Sequence, residues 1–233
     1  MSDSTTSSTA REPYSELISL AVHEFRTPAS VIGGYLRMLQ GDSTLNERQR
    51  KMVDEAHKSC ARLVEIIAEL SVLGKFEDGA IHLARTPLDL FALAAEVAGH
   101  VQEARDRGVR LEVRGEKAGA EIKGDVTQLR TAIDAIFRAI LREQSSDATV
   151  VAECRRERRD GRSAAVLIVT HEDSVAAAYD SRVGALFQKH GGLGLALPIA
   201  LRVIEALGGE IWSPAEPEPL QRGAILVRFP LTE

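Results

Sequence analysis

The chain has no apolar run near the roughly 18 residues that a membrane-spanning helix needs, so a span through a bilayer is not expected. Cysteine is nearly absent. Cys60 and Cys154 stand alone and fit no metal-ligand spacing, a pattern expected of a reduced cytosolic protein. An extended basic patch is also missing, and the net charge is -5, which argues against nucleic acid as a partner. The opening MSDSTTSSTARE has no apolar signal core, and residues 1–13 are expected to form a disordered leader. With neither sensor domain nor membrane anchor expected, any signal would arrive through a soluble partner. What is present is ordinary for a folded protein. Of the 233 residues 44% are hydrophobic and 27% charged, enough for one large domain or two small ones.

From residue 13 to 40 the apolar positions Leu17, Leu20, Ala21, Val31, Tyr35 and Met38 recur at helical spacing. Gly41-Asp42-Ser43-Thr44 reads as a turn and Asn46 as an N-cap. A second helix is expected over 47–73, with Met52, Val53, Cys60, Leu63, Ile67 and Leu70 on one face. Two long helices with a short join make an antiparallel hairpin. Each apolar stripe is wider than one partner can cover, so two copies are expected to pair into a four-helix bundle. The rest alternates. Strands are expected at 109–114, 149–156, 164–170, 209–213 and 223–229, with helices at 88–106, 125–143 and 193–207. The arginine-rich run 155–162 reads as a solvated hairpin turn.

Residues 23–28 are His-Glu-Phe-Arg-Thr-Pro. With Leu17 at zero on a helical wheel of about 100° per residue, the apolar stripe centres at about 20° and His23 at about 240°. The histidine therefore faces solvent. Thr27, Ser30, Gly34, Arg26, Arg37 and Gly33 fall on or beside its edge, a stripe of small and basic residues. Two adjacent glycines inside a helix cost about 1 kcal/mol each relative to alanine, and close approach of another chain's backbone is a reason to retain them. Neutral imidazole, with an ordinary pKa of about 6.5, is a competent nucleophile. A neighbouring carboxylate can accept its second ring proton. Pro28 has no N–H for the carbonyl of Glu24 and is expected to kink the helix.

The His-Glu-x-x-Thr-Pro box closely resembles the phospho-acceptor box of two-component sensor histidine kinases. The resemblance extends through the LGKFEDG join, the Gly192-Leu193-Gly194-Leu195-Ala196 turn, the LGGEIW strand and the closing GAILVRFPL strand. It implies an α+β architecture: a helical hairpin dimerising into a four-helix bundle, then a degenerate Bergerat-type α/β sandwich. The implied domains are residues 14–76 for dimerisation and phosphotransfer and 77–233 for the kinase-like part. It assigns His23 as phospho-acceptor, Glu24 as the carboxylate partner and Thr27 as the threonine associated with phosphatase activity.

The same resemblance marks losses. The family's asparagine-rich helix, whose amide oxygen holds magnesium, puts Ala135 and Ala139 in register with its asparagines. The Asp-x-Gly-x-Gly box is replaced by His171-Glu172-Asp173-Ser174-Val175, which lacks the adenine-reading acid and both glycines. Asp173 would repel phosphates, and a metal site at 171–173 is disfavoured for want of a second cluster. The segment 175–190 is too short for a full ATP lid. His190 stands where the next box has its first glycine, although Gly191, Gly192 and Gly194 could still suit phosphate. The expectation is a cytoplasmic, homodimeric histidine phosphotransferase without a cofactor of its own. It would move phosphoryl groups between receiver-domain aspartates through His23, with Mg²⁺ on the partner receiver. Arg26, Ser30, Gly33, Gly34 and Arg37 would dock that partner. An atypical ATP-using histidine kinase and a pseudokinase scaffold stand as alternatives.

Overall fold

A computed structural model describes residues 12–159, 161–186, 194–215 and 223–232, with the side chains of 12–15 and 159 excepted. Most of the leader, part of the 175–190 segment, and Gly191 and Gly192 lie outside the described residues. The chain divides between His82 and Leu83 into two compact units.

The first unit is the hairpin of α1 (Glu12–Gln40) and α2 (Glu47–Glu77). The join is tightly specified. The Asp42 carboxylate accepts from the backbone and hydroxyl of Thr44 at 2.8 and 2.7 Å, which lowers its pKa. Asn46 and Gln49 form a reciprocal capping box at 2.9 and 3.0 Å. α2 outlasts the expected 47–73 because no breaker intervenes before Asp78 and Gly79, the latter at a φ of 66°.

The seam between the helices departs from expectation. Ile18, Val22 and Ala29 of α1 pack against Ile67 and Leu70 of α2. The Cys60 thiol donates to the Ala29 carbonyl at 3.4 Å. These α1 positions centre about 120° round the wheel from Leu17, so the broad stripe of Leu17, Leu20, Val31, Tyr35 and Met38 is not the intrachain seam. Those five side chains are each more than half exposed. Small residues explain the choice. A Cβ on Gly74 would sit 3.1 Å from Ile18 Cγ2, and one on Gly33 would sit 3.5 Å from Cys60 Sγ. The helices approach closely where side chains are least.

The second unit opens with β1 (Thr86–Asp89), α3 (Leu90–His100), α4 (Gln102–Asp106), β2 (Arg110–Gly115), β3 (Glu121–Gly124) and α5 (Val126–Arg142). It continues with β4 (Thr149–Arg159), β5 (Arg162–His171), α6 (Val175–Asp180), β6 (Val183–Gly184), α7 (Ala196–Ala206), β7 (Glu210–Pro214) and β8 (Ala224–Pro230). The described strands form a six-stranded sheet in the order β2-β4-β5-β8-β7-β6 and a small antiparallel pair of β1 and β3. Among the described strands only β2 and β4 run parallel. β5 is buried without a break from Ala164 to Thr170, as suits a central strand covered on both faces.

The helix expected over 88–106 is two helices behind a strand. Asp89 ends β1 and caps α3, accepting from Phe91 N and Ala92 N at 2.9 and 3.2 Å. Val101 then adopts an extended ψ of 93°, which breaks α3 from α4. β1, β3 and β6 escape sequence reading because strands of two to four residues show too few periods to register. On the sheet, Val166, Ile168, Ala224 and Leu226 pack with Ala178 of α6. Alternate residues face the other way, toward the layer in which α5 contacts α3 and α7.

Candidate functional site

Burial of Val22 in the hairpin seam fixes the direction of its neighbour. One helical step of about 100° turns His23 outward, and its side chain is 79% exposed. Glu24 is 71% exposed, with Oε1 3.6 Å from His23 Nδ1, close enough for charge interaction but longer than a hydrogen bond. Thr27, Arg26, Ser30 and Arg37 are exposed on the same helix. Gly34 is half-buried, and a Cβ there would meet nothing within 4 Å. Pro28 lies within α1, which continues beyond it to Gln40.

Gly33 does not belong to this face. It is buried and faces Cys60 across the seam, so its lack of a side chain serves helix-to-helix approach within the chain. The two adjacent glycines thus have different surroundings, which composition alone does not separate. The exposed face around the histidine comprises His23, Glu24, Arg26, Thr27, Ser30 and Arg37, with Gly34 as a gap in it.

The positions that the resemblance ties to nucleotide are occupied otherwise. Ala135 and Ala139 of α5 are 4% and 1% exposed and offer no ligand oxygen. His171 ends β5, and its Nδ1 accepts from the backbone of Asp173 at 3.3 Å, capping a short 3₁₀ turn. Glu172 pairs with Arg114 at 3.1 Å, which lowers its pKa. Asp173 is exposed, and Val175 starts α6. Among the described residues, no group of three or more His, Cys, Asp or Glu side chains converges as a metal site. At these positions the chain lacks the ligand oxygen and the glycines that the resemblance ties to a magnesium-bound nucleotide.

The segment following β5 is built into the sheet. Ala178 of α6 is fully buried on it. The Tyr179 hydroxyl donates to Glu157 at 2.9 Å, and this bond, with burial, raises the phenol's pKa. Arg155 stacks 5.2 Å from the Tyr179 ring centroid. β6 then adds to β7, where a Cβ on Gly184 would lie 2.5 Å from the Ala215 Cα. The Ala176-Ala177-Ala178 run, strong in helix propensity, is the signal that could have revealed α6.

Residues 14–79, which contain the exposed histidine, match the His Kinase A (phospho-acceptor) domain. Sensor protein GacS of Pseudomonas syringae pv. syringae is 29% identical over 220 residues, a match covering 87% of this chain and 24% of GacS. The chain carries the phospho-acceptor domain of two-component histidine kinases and resembles that family over most of its length. Another relative in this family is sensor protein DivL of Caulobacter vibrioides, 27% identical over 222 residues, covering 91% of this chain and 27% of DivL. The histidine kinase fold is also that of full-length ShkA, solved in complex with AMPPNP. Its TM-score is 0.66 at 23% identity, over 94% of this chain and 46% of that one. The chain spans about a quarter of the length of GacS and of DivL. No helix among the described residues is long and apolar enough to cross a membrane.

Proposed function

We propose that this chain is a histidine phosphotransferase of a two-component phosphorelay, carrying phosphoryl groups on His23 between receiver-domain aspartates without using ATP. The observation that carries the reading is the exposed His23 imidazole beside the Glu24 carboxylate, in a match to the phospho-acceptor domain. With Nδ1 turned toward Glu24, Nε2 is the attacking atom. Nε2 bonds to the phosphorus of a receiver acyl phosphate, the bond from phosphorus to the aspartate oxygen breaks, and the carboxylate leaves. The Nδ1 proton stays between the ring and Glu24, which offsets the positive charge on the phosphorylated ring. Transfer onward reverses these events on a second receiver. Positioning and charge neutralisation dominate such a step. The magnesium ion belongs to the receiver, and Arg26, Thr27, Ser30, Gly34 and Arg37 form the face on which that partner packs.

The chain acts in the cytoplasm as a homodimer. Among the described residues, every exposed large apolar side chain except Val126 and Val183 lies on the hairpin. A second copy would cover that surface and complete a four-helix bundle. The alanines at 135 and 139 support transfer without ATP. A second reading, ATP-dependent phosphorylation of His23, draws on the likeness to kinases over most of this chain. Incubation with radiolabelled ATP and Mg²⁺, and separately with a radiolabelled phospho-receiver, decides between them. Label on His23 from the receiver alone supports the relay; label from ATP alone favours the kinase.

A further inference from the structure

The sheet face that carries α6 also holds a groove of about 510 Å³. Arg162 and Ala164 from the start of β5 line it, with Arg228 and Pro230 from the end of β8 and Glu210 from the start of β7. Its floor is small: Ala164 is buried and carries only a methyl group. Its two cations differ. The Arg228 side chain is 21% exposed and is oriented by Glu157, whose Oε1 accepts from Nε at 2.9 Å. The second carboxylate near Arg228, Glu210, stands off at 3.8 Å and is 67% exposed, a weak and displaceable partner. Arg162 is exposed and has no acidic partner among the described residues.

The strand register sets the spacing. Arg228 sits opposite Val166, four residues along β5 from Arg162. At about 3.4 Å per residue the two arginine backbones are therefore about 14 Å apart along the strand. Two carboxylates four residues apart on one face of an extended peptide match that spacing. We propose that this groove binds an extended, acidic peptide segment of a partner protein. One carboxylate would take Arg162, and another would displace Glu210 from the oriented Arg228 guanidinium. Such a site is independent of His23 and lies wholly within the second unit.

The test uses the full chain and a fluorescein-labelled, threonine-rich peptide with two glutamates four positions apart, read by fluorescence anisotropy. Binding is expected to weaken with salt. It should fall about tenfold in Arg162→Glu, from the loss of one exposed ion pair and a new repulsion. Glu210→Gln should tighten binding about threefold by releasing Arg228 from its internal partner, an effect of opposite sign that a damaged fold would not produce. The same peptide with glutamines should not bind. The proposal is overturned if the wild-type chain does not bind the peptide at millimolar concentration, or if Arg162→Glu, with an unchanged circular dichroism melt, binds it as well. Full displacement by equimolar inorganic phosphate would also overturn it, marking a site for a single small anion.

Discussion

The two glycines of α1 offer a direct perturbation of the face beside His23. A Cβ on Gly34 would meet nothing within 4 Å, so alanine there adds no clash. Replacing a mid-helix glycine by alanine stabilises by about 1 kcal/mol through backbone entropy alone. For a chain of this size that is about 2–4 °C in melting temperature. At Gly33 the new methyl would lie 3.5 Å from Cys60 Sγ, an ordinary contact, so the gain should be similar or slightly smaller. At Gly74 it would lie 3.1 Å from Ile18 Cγ2, so Gly74→Ala should lose most of the gain or destabilise. The assay is thermal melting of the three variants at matched protein concentration, followed by helical circular dichroism. The expected order is Gly34→Ala, then Gly33→Ala, then Gly74→Ala. A clear loss of stability in Gly34→Ala would refute the reasoning, because it would require something packed against that position in the free protein. Gly34→Leu should remain folded and dimeric while blocking phosphotransfer by filling the gap that a docked receiver needs.

Light scattering at micromolar concentration should give about twice the 25.3 kDa chain mass, and Leu63→Glu, which places an unpaired charge in the expected interface, should split the dimer or unfold it. The Glu96 carboxylate is held below its ordinary pKa by the hydrogen bonds from Arg130 at 2.6 and 3.0 Å. A depressed carboxylate stabilises the fold above its unfolded pKa and loses that contribution as pH falls through the folded value. Glu96→Gln should therefore flatten the fall in denaturant midpoint at acidic pH and change little below both pKa values. Burial pushes the Cys154 thiol up to about 12, so iodoacetamide at mildly alkaline pH should leave Cys154 unmodified in the folded protein and alkylate it in urea.

The hairpin is legible in sequence because both helices exceed seven turns and the capping residues at the join are unambiguous. Its internal packing is less so. The strongest apolar stripe, through Leu17 and Tyr35, draws the eye as the seam, yet the helices meet through Val22, Ala29, Gly33 and Gly74. Close approach rewards small residues that a hydrophobicity pattern scores weakly. The central strands read correctly because β5 and β8 contain the unbroken apolar runs Ala164–Val169 and Ala224–Val227. β1, β3 and β6 are short and defined by pairing across the fold, which periodicity does not report. At the site, the outward direction of His23 follows from helical phase alone. Assigning Gly33 to the histidine face instead of the seam is a phase error of a fraction of a turn, and only the position of α2 corrects it. The Glu157–Tyr179–Arg228 network joins residues 22 to 71 positions apart in sequence and has no local signature.

The central claim is that phosphate reaches this chain on His23 from a receiver and not from ATP. The most direct measurement is transfer of radiolabel from a purified phospho-receiver to the wild-type chain and to His23→Ala, with a parallel incubation in labelled ATP and Mg²⁺. The account predicts acid-labile label on the wild-type chain from the receiver, none on His23→Ala, retained receiver affinity in that variant, and no label from ATP. Receiver-derived label that persists in His23→Ala, or ATP-derived label that His23→Ala abolishes, would contradict it.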